Sequence, residues 1–94
     1  IAECSAVVCY NDEIAFRLIP LLVTHGVRVP QDVAIVSFDN SALSELSPIK
    51  ITSLSYGERN IGQIAAQTLL DRIAGKPAQS QTLPWALVEK DSSR

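Results

Sequence analysis

The sequence is poor in the side chains that build catalytic, redox and metal sites. Its 94 residues include one histidine, His25, and two cysteines, Cys4 and Cys9. The spacing of the cysteines fits neither a CxxC redox pair nor a zinc site, and two thiols do not make a disulfide framework. We therefore predict two buried, reduced thiols, a state that suits a cytoplasmic protein.

Long apolar runs and an excess of positive charge are also missing. No segment approaches the ~18 apolar residues that cross a membrane, and no signal peptide is recognisable. The 8 basic residues are outnumbered by 10 acidic ones, and the net charge is −2. Because protein surfaces that bind nucleic acid are basic, we expect no direct DNA contact by this chain. The lack of a long apolar run likewise predicts no membrane partner.

Sequence signatures of common enzymes are absent as well. The chain has no GxGxxG, no phosphate-binding P-loop, no GxSxG and no HExxH. His25 is predicted to lie beside the end of a helix, where an imidazolium complements the helix dipole, and nothing places a nucleophile near it. The sequence therefore predicts a protein that is not an enzyme, without a catalytic residue, metal or cofactor.

What is present is a globular composition, 47% hydrophobic and 19% charged, organised around residues 32–40. Residues 33–36 are apolar without alternation, which is typical of a parallel strand covered by helices on both faces. The run ends in Asp39 and Asn40. Since ligands bind at the carboxyl ends of strands in open α/β sheets, this strand is predicted to deliver a carboxylate to a binding site.

A strand, a helix and a second strand are predicted over the first forty residues. Residues 6–10 are continuously apolar, and Asn11 follows as a good N-cap for a helix over 12–25. Pro20 removes one helical hydrogen bond and is expected to kink or break this helix. Together with the strand over 33–38, these elements predict a right-handed parallel βαβ unit.

The remaining elements are predicted from periodicity and from Gly and Pro positions. They are one or two helical turns over 41–47, a strand over 49–54, a helix over 58–74, an edge strand over 83–88 and a solvated tail over 90–94.

Asn11 and Asp39 each follow directly on a predicted buried strand. If those strands are neighbours, an amide and a carboxylate converge on one crevice, an arrangement that suits a polyhydroxylated ligand. Two readings stay open, since Asn11 also fits a helix cap and Asp39 the start of a turn. Asp12 and Glu13 are first-turn acids that complement the helix dipole. Tyr56, at another strand-to-helix junction, fits either ligand contact or packing.

Segments along the whole chain resemble the effector domain of LacI/GalR-family transcription regulators. These segments are CYND (9–12), GVRVPQDVAIVSFDN (26–40), ITSL (51–54), IGQIAA (61–66), LLDRIAG (69–75) and LVEKDSSR (87–94). The resemblance is closest to the arabinose-repressor type, in which this sensor follows a winged-helix headpiece. The family usually has glycine where Ser37 stands and aspartate where Asn40 stands.

The resemblance implies an α/β fold with a parallel sheet, the type I periplasmic-binding-protein-like sensor domain, of which this chain is an incomplete fragment. It assigns 1–55 and 82–94 to the C-terminal subdomain and 56–81, mainly a helix, to the N-terminal subdomain. Family positions that bind effector match Asn11, Asp39 and Tyr56. Family positions that form a homodimer match Ala15, Phe16, Leu43 and Leu46.

The function implied is the ligand-sensing part of a cytoplasmic transcription regulator, a repressor that responds to a sugar or similar small effector. DNA would be bound only through a headpiece that this chain does not contain. A periplasmic sugar-binding protein of an uptake system is the alternative with the same fold. An unrelated α/β enzyme fragment is a third possibility, tested by whether the full protein shows turnover.

Overall fold

The computed structural model describes residues 3–57 and 61–94. The chain divides into two compact units. The first comprises Ile1–Ser55 with Leu87–Arg94, and the second comprises Tyr56–Ala86. No helix in the described part of the chain is both long enough and apolar enough to span a bilayer.

The first unit begins with the predicted βαβ arrangement. Strand β1 (Ala6–Val8) leads through helix α1 (Asp12–Thr24) to strand β2 (Ala34–Phe38). The two strands pair in parallel, with Val7 opposite Ile35. The prediction of a parallel βαβ unit is confirmed, and it places the carboxyl ends of β1 and β2 side by side.

Pro20 was expected to kink or break α1, and the break is not found, because the helix runs unbroken from Asp12 to Thr24. Core residues lie on both sides of the proline: Ala15 and Ile19 before it and Leu22 after it are at most 5% exposed. A proline inside a helix costs about 3 kcal/mol or more, and packing of this apolar face against the sheet offsets that cost.

The rest of the first unit follows in sheet order. After β2 come helix α2 (Ala42–Leu46) and strand β3 (Thr52–Ser55), and β3 pairs in parallel with β2. Strand β4 (Ala86–Val88) is the outer strand of the order β1-β2-β3-β4, as its preceding proline predicted. Strand β3 begins later than predicted, and Ile51, the residue before it, belongs to the hydrophobic core.

Only one face of this sheet is well covered by the described residues. Ile35 and Ser37 of β2 point to the α1 side and are fully buried, whereas Val8 is 68% and Phe38 is 37% exposed. The expected coverage on both faces is therefore not found within the part of the chain that the structure describes.

The tail after β4 is not the solvated segment that its polar composition predicts. It forms a short 3-10 helix (Asp91–Ser93), and Ser92 is fully buried. The Ser92 hydroxyl accepts from the Thr52 amide at 2.8 Å and donates to the Ile35 carbonyl oxygen at 2.6 Å. This side chain therefore bridges β2 and β3 where their pairing begins.

The second unit contains helix α3 (Ile61–Ile73), which has no buried residue. Its predicted start at residue 58 lies outside the described residues. Leu69 and Ile73 of this helix are 60% and 74% exposed. Ile61, Ile64 and Leu69 line an open groove of about 440 Å³ together with Leu83.

The two thiols differ in environment. Cys9 is 4% exposed, as predicted, and burial raises the pKa of its thiol. Cys4 is exposed, which contradicts the prediction of two buried thiols; it precedes β1, and residues 3–6 around it are exposed as well, whereas Cys9 packs in the core.

We expect the folded chain to show one fast and one slow thiol in a reaction with a disulfide reagent such as DTNB. Because the thiolate is the reactive form, the Cys9 thiol should react at least about tenfold more slowly than the Cys4 thiol. Stopped-flow absorbance of Cys4→Ser and Cys9→Ala variants assigns the phases. Equal rates for the two thiols in the folded chain would contradict the described burial.

Candidate functional site

Asn11 and Asp39 lie at the same edge of the sheet. They follow β1 and β2, and the amide of Cys9 donates to the Val36 carbonyl oxygen at 2.8 Å where the two strands end. The two segments are also joined directly, because Ser41, two residues after Asp39, hydrogen-bonds Asp12 beside Asn11. The expectation that the two strands are neighbours is confirmed.

Asn11 caps helix α1. Its Oδ1 accepts the amide of Ile14 at 3.0 Å, and its extended backbone (φ −154°, ψ 175°) is that of an N-cap residue. This bond fixes the orientation of the side-chain amide, and the Nδ2 group keeps its two donors for other contacts. The capping interpretation of Asn11 is thus confirmed, while its contact with a ligand stays a prediction.

Residues 39–41 form a turn with unusual backbone geometry. Asp39 has φ 102° and Asn40 has φ 49°, both in the left-handed region that residues other than glycine rarely adopt. Three successive amides hold this turn: Asp39 donates to the Leu54 carbonyl oxygen at 3.0 Å, Asn40 to the Ser53 hydroxyl at 2.8 Å, and Ser41 to Asp12 Oδ2 at 2.5 Å. Strain of this kind persists only where surrounding contacts determine the backbone.

The side chain of Asp39, unlike its hydrogen-bonded backbone amide, makes no polar contact that restrains it among the described residues. It is exposed, and within residues 3–57 and 61–94 its carboxylate has no hydrogen-bond or ion-pair partner. Asp39 therefore begins a turn through its amide, as one reading predicted, while its carboxylate oxygens stay available to a ligand.

Asp12 is a site residue that sequence reasoning missed. The sequence predicted only that it complements the helix dipole, and gave no sign that it is 1% exposed. Its Oδ1 accepts the hydroxyls of Ser37 and Ser53, the latter at 2.7 Å, and its Oδ2 accepts the amide and the hydroxyl of Ser41 at 2.5 and 2.7 Å. A carboxylate has about four acceptor sites, and here all of them are used.

This environment acts on the pKa of Asp12 in two directions. Burial alone would raise the pKa of the carboxyl, but the hydrogen bonds from Ser37, Ser53 and Ser41 outweigh burial and hold the pKa below its usual value. The charged form of Asp12 is therefore the form that the fold stabilises.

A signal for this network was present in the sequence. Ser37 and Ser53 are polar residues within predicted strands; both are fully buried, and the register places them directly opposite each other. A pair of serines on one buried face indicates a shared polar partner. Ser37, at a position where the family usually has glycine, uses its side chain to donate to Asp12.

Lys90 is a second buried charge near the turn, and it corrects the prediction of a solvated tail. It is 7% exposed, and its Nζ lies 2.8 Å from Asn40 Oδ1, 2.8 Å from Ser44 Oγ and 3.0 Å from Glu45 Oε1. Its three donors are thus all used. Lys50 also binds Glu45, at 3.0 Å, and Lys50 and Lys90 together lower the pKa of Glu45.

Neither Tyr56 nor His25 is shown to be part of the site by its contacts. Tyr56 is half-buried and is the first residue of the second unit, so its role as a ligand contact stays a prediction. His25 is exposed after the end of α1, and its Nδ1 lies 2.7 Å from the Leu21 carbonyl oxygen. Among the described residues no group of His, Cys, Asp and Glu is arranged to hold a metal ion.

The four residues expected at a homodimer interface differ in exposure. Leu46 is 70% exposed, and Phe16 and Leu43 are partly exposed, on helices α1 and α2, which contact each other. Ala15 is fully buried in the core, so it has no surface with which to contact a partner.

Comparison with known proteins identifies matches over nearly the whole chain. The family model described as "Periplasmic binding protein-like domain" matches residues 2–93. The chain is 31% identical over 90 residues to the HTH-type transcriptional repressor PurR of Vibrio cholerae, covering 94% of the chain and 27% of that repressor. It is 33% identical over 69 residues to the arabinose metabolism transcriptional repressor of Halalkalibacterium halodurans, covering 73% of the chain and 18% of that protein.

Among solved structures, a LacI family transcriptional regulator from Enterococcus faecium with bound ribose is similar to this chain. The TM-score is 0.85 at 31% sequence identity, and the match covers 97% of this chain and 35% of that one. The chain thus spans about a third or less of the length of each of these three proteins.

We expect loss of the Lys90 side-chain charge to destabilise the fold more than loss of the Lys50 charge. Lys90→Met leaves the Asn40 and Ser44 oxygens short of a buried donor, and the free energy of unfolding should fall by about 1–3 kcal/mol. Lys50→Met removes an ion pair whose lysine side chain is 53% exposed and should cost at most about 1 kcal/mol.

Urea unfolding of the two variants measures the difference, and the matched pair shares the partner Glu45. Equal destabilisation by both substitutions would show that the burial of Lys90 makes no difference.

Proposed function

Because the chain belongs to the periplasmic-binding-protein-like domain family, in the LacI/GalR group of transcription regulators, we propose that it is the C-terminal part of a repressor's effector-binding domain. Residues 1–55 and 82–94 would belong to the C-terminal subdomain, and 56–81 would supply a helix to the N-terminal subdomain. The division of the chain after Ser55 supports the first of these boundaries, whereas the second unit extends to Ala86, five residues beyond the proposed end at 81.

The observation that carries the proposal is the state of Asp39. Its backbone is fixed by the amides of the turn, and its carboxylate is exposed and unpaired within the described residues. A charged group on a fixed backbone, with no partner among the described residues, is accessible to a ligand, and the backbone that carries it has little ordering entropy left to lose on binding.

The ligand class that fits is a sugar. The Asp39 carboxylate accepts hydrogen bonds from hydroxyl groups, and Asn11 Nδ2 donates hydrogen bonds to hydroxyl oxygens. Neighbouring hydroxyls of a sugar are both donors and acceptors, so they complement this pair. Tyr56 is proposed as a further ligand contact on the family resemblance alone. The similarity to a regulator with bound ribose and to an arabinose metabolism repressor supports the same class.

Regulation would pass from the ligand to the dimer surface through α2. Ser41 is both the last residue of the Asp39 turn and the N-cap of α2, and Lys90 joins Asn40 to Ser44 and Glu45 on that helix. A ligand that favours one position of the turn would thereby favour one position of α2 in a homodimer. A headpiece outside this chain would then gain or lose affinity for operator DNA.

The alternative of a periplasmic uptake protein is less favoured, because the two relatives compared above are both named as transcriptional repressors. Neither of them is named as an enzyme. A regulator of this kind acts in the cytoplasm, where its DNA is.

Removal of the Asp39 carboxylate should weaken sugar binding by the full-length regulator at least tenfold. A hydrogen bond to a charged group contributes about 1.5–3 kcal/mol, and 1.4 kcal/mol is a factor of ten in affinity. The suitable variants are Asp39→Gly and Asp39→Asn, since glycine and asparagine tolerate the positive φ at this position, whereas alanine would add backbone strain. Asparagine should weaken binding less than glycine.

Calorimetric titration with ribose and with arabinose measures the affinities, and a thermal melt of each variant serves as the folding control. If wild type binds neither sugar, the sugar class is wrong. If Asp39→Gly binds as tightly as wild type, the assignment of Asp39 is wrong.

The proposed dimer predicts that Leu46→Glu raises the dimer dissociation constant of the full-length regulator at least tenfold. Burying a leucine side chain contributes about 1.5–3 kcal/mol, and a carboxylate in its place would be desolvated. Leu21→Glu is the control, because Leu21 is 59% exposed on α1 and is not among the predicted interface residues. Sedimentation velocity over a concentration series measures the constant. A similar change in both variants would remove the support for this interface.

A further inference from the structure

We propose that Asp12 is the positioning residue of the ligand site: it holds the turn 39–41 so that the Asp39 carboxylate faces the ligand. The inference rests on the proposed function, because it concerns the same site and takes Asp39 as the ligand contact. Asp12 itself does not touch the ligand, since its side chain is 1% exposed and its acceptor sites are already used.

The first step is the direct contact between Asp12 and the turn. Asp12 Oδ2 accepts both the amide and the hydroxyl of Ser41, at 2.5 and 2.7 Å. Ser41 occupies the N-cap position of α2, yet its hydroxyl makes no capping bond to that helix. A serine in this position usually caps, so its use on Asp12 indicates that fixing the turn to α1 is the stronger interaction.

The second step is an indirect contact through Ser53. The Ser53 hydroxyl donates to Asp12 Oδ1 at 2.7 Å and accepts the amide of Asn40 at 2.8 Å. A hydroxyl has one proton, so donation to Asp12 turns its lone pairs away from Asp12 and makes them available to Asn40. Asp12 therefore determines the orientation of the group that holds the second amide of the turn.

The third step is the need for such a restraint. Asp39 and Asn40 have φ values of 102° and 49°, so without restraint this turn would relax toward the negative φ that both residues prefer. A change of φ at Asp39 rotates its side chain relative to the sheet edge. Three hydrogen bonds from backbone amides prevent this change. Those of Asn40 and Ser41 depend on Asp12, and that of Asp39 is accepted by the Leu54 carbonyl oxygen.

Asp12→Asn tests the inference in the full-length regulator. An amide offers one acceptor oxygen where the carboxylate has two, so either Ser41 loses its acceptor or the Ser37 and Ser53 hydroxyls must turn over. Glu13→Gln is the matched control, because Glu13 is the adjacent acid in the same helical turn and its ion pair with Arg17 is exposed.

The first measurement needs no ligand. Hydrogen–deuterium exchange by mass spectrometry should show faster exchange in peptides that cover 39–44 in Asp12→Asn, with no change in peptides from the middle of α1. The second measurement is calorimetric titration with ribose and with arabinose well below the melting temperature, where we expect at least a tenfold loss of affinity in Asp12→Asn and none in Glu13→Gln.

A second pair of variants keeps the test valid if Asp12→Asn does not fold. Ser41→Ala removes one hydroxyl from Asp12, and Ser41→Thr keeps it. Exchange at 39–44 and sugar affinity should change in Ser41→Ala and return toward wild type in Ser41→Thr. A purely structural role of Asp12 would lower the melting temperature without this rescue of affinity.

Each result separates this inference from the proposed function. Failure of wild type to bind either sugar contradicts the proposed function, while the exchange measurement still decides whether Asp12 holds the turn. Unchanged exchange at 39–44 in the folded Asp12→Asn or Ser41→Ala variant overturns the inference. Faster exchange with unchanged affinity for a sugar that wild type binds also overturns it.

Discussion

The carboxylate of Asp12 joins segments that are otherwise far apart along the chain. It begins α1, yet its four hydrogen bonds come from the middle of β2, from β3 and from the start of α2. A buried charge is tolerated only when it is paired or fully hydrogen-bonded. Because the charge is stabilised only when all four groups donate to it, the relative positions of α1, β2, β3 and α2 are determined together. The edge of the sheet next to the N-terminus of α1 is therefore rigid.

This rigidity explains how one small unit can carry both a strained turn and an exposed charge. The turn at Asp39 stores backbone strain, and the contacts that stabilise it lie beneath the turn, within the buried serine network and along β3. The positively charged ammonium group of Lys90 also holds the turn, because it donates a hydrogen bond to the side-chain oxygen of Asn40. Most polar groups around the turn satisfy one another inside the fold, whereas the exposed Asp39 carboxylate has no partner within residues 3–57 and 61–94.

The sequence predicted those features that follow from local rules. The parallel βαβ unit follows from continuous apolar runs, and the Asn11 cap follows from its position before a helix. Asp12 was placed correctly at the start of α1, but its burial was not predicted, because that burial depends on serines that lie 25 to 41 residues away. Lys90 was assigned to a solvated tail for the same reason, since its partner Asn40 is 50 residues distant. The continuity of α1 through Pro20 reflects tertiary packing, which overrides a local preference.

The Ser92 hydroxyl that bridges Ile35 and Thr52 has a consequence for the order in which the first unit folds. It connects to those residues across 57 and 40 positions of the chain, so the junction between β2 and β3 is completed by a contact of very high sequence separation. Contacts of this kind form late, because the intervening chain must be closed into a loop first. During synthesis, β2 and β3 would therefore emerge with an open junction, and the sheet would reach its final hydrogen bonding only after the segment that carries Ser92 has left the ribosome.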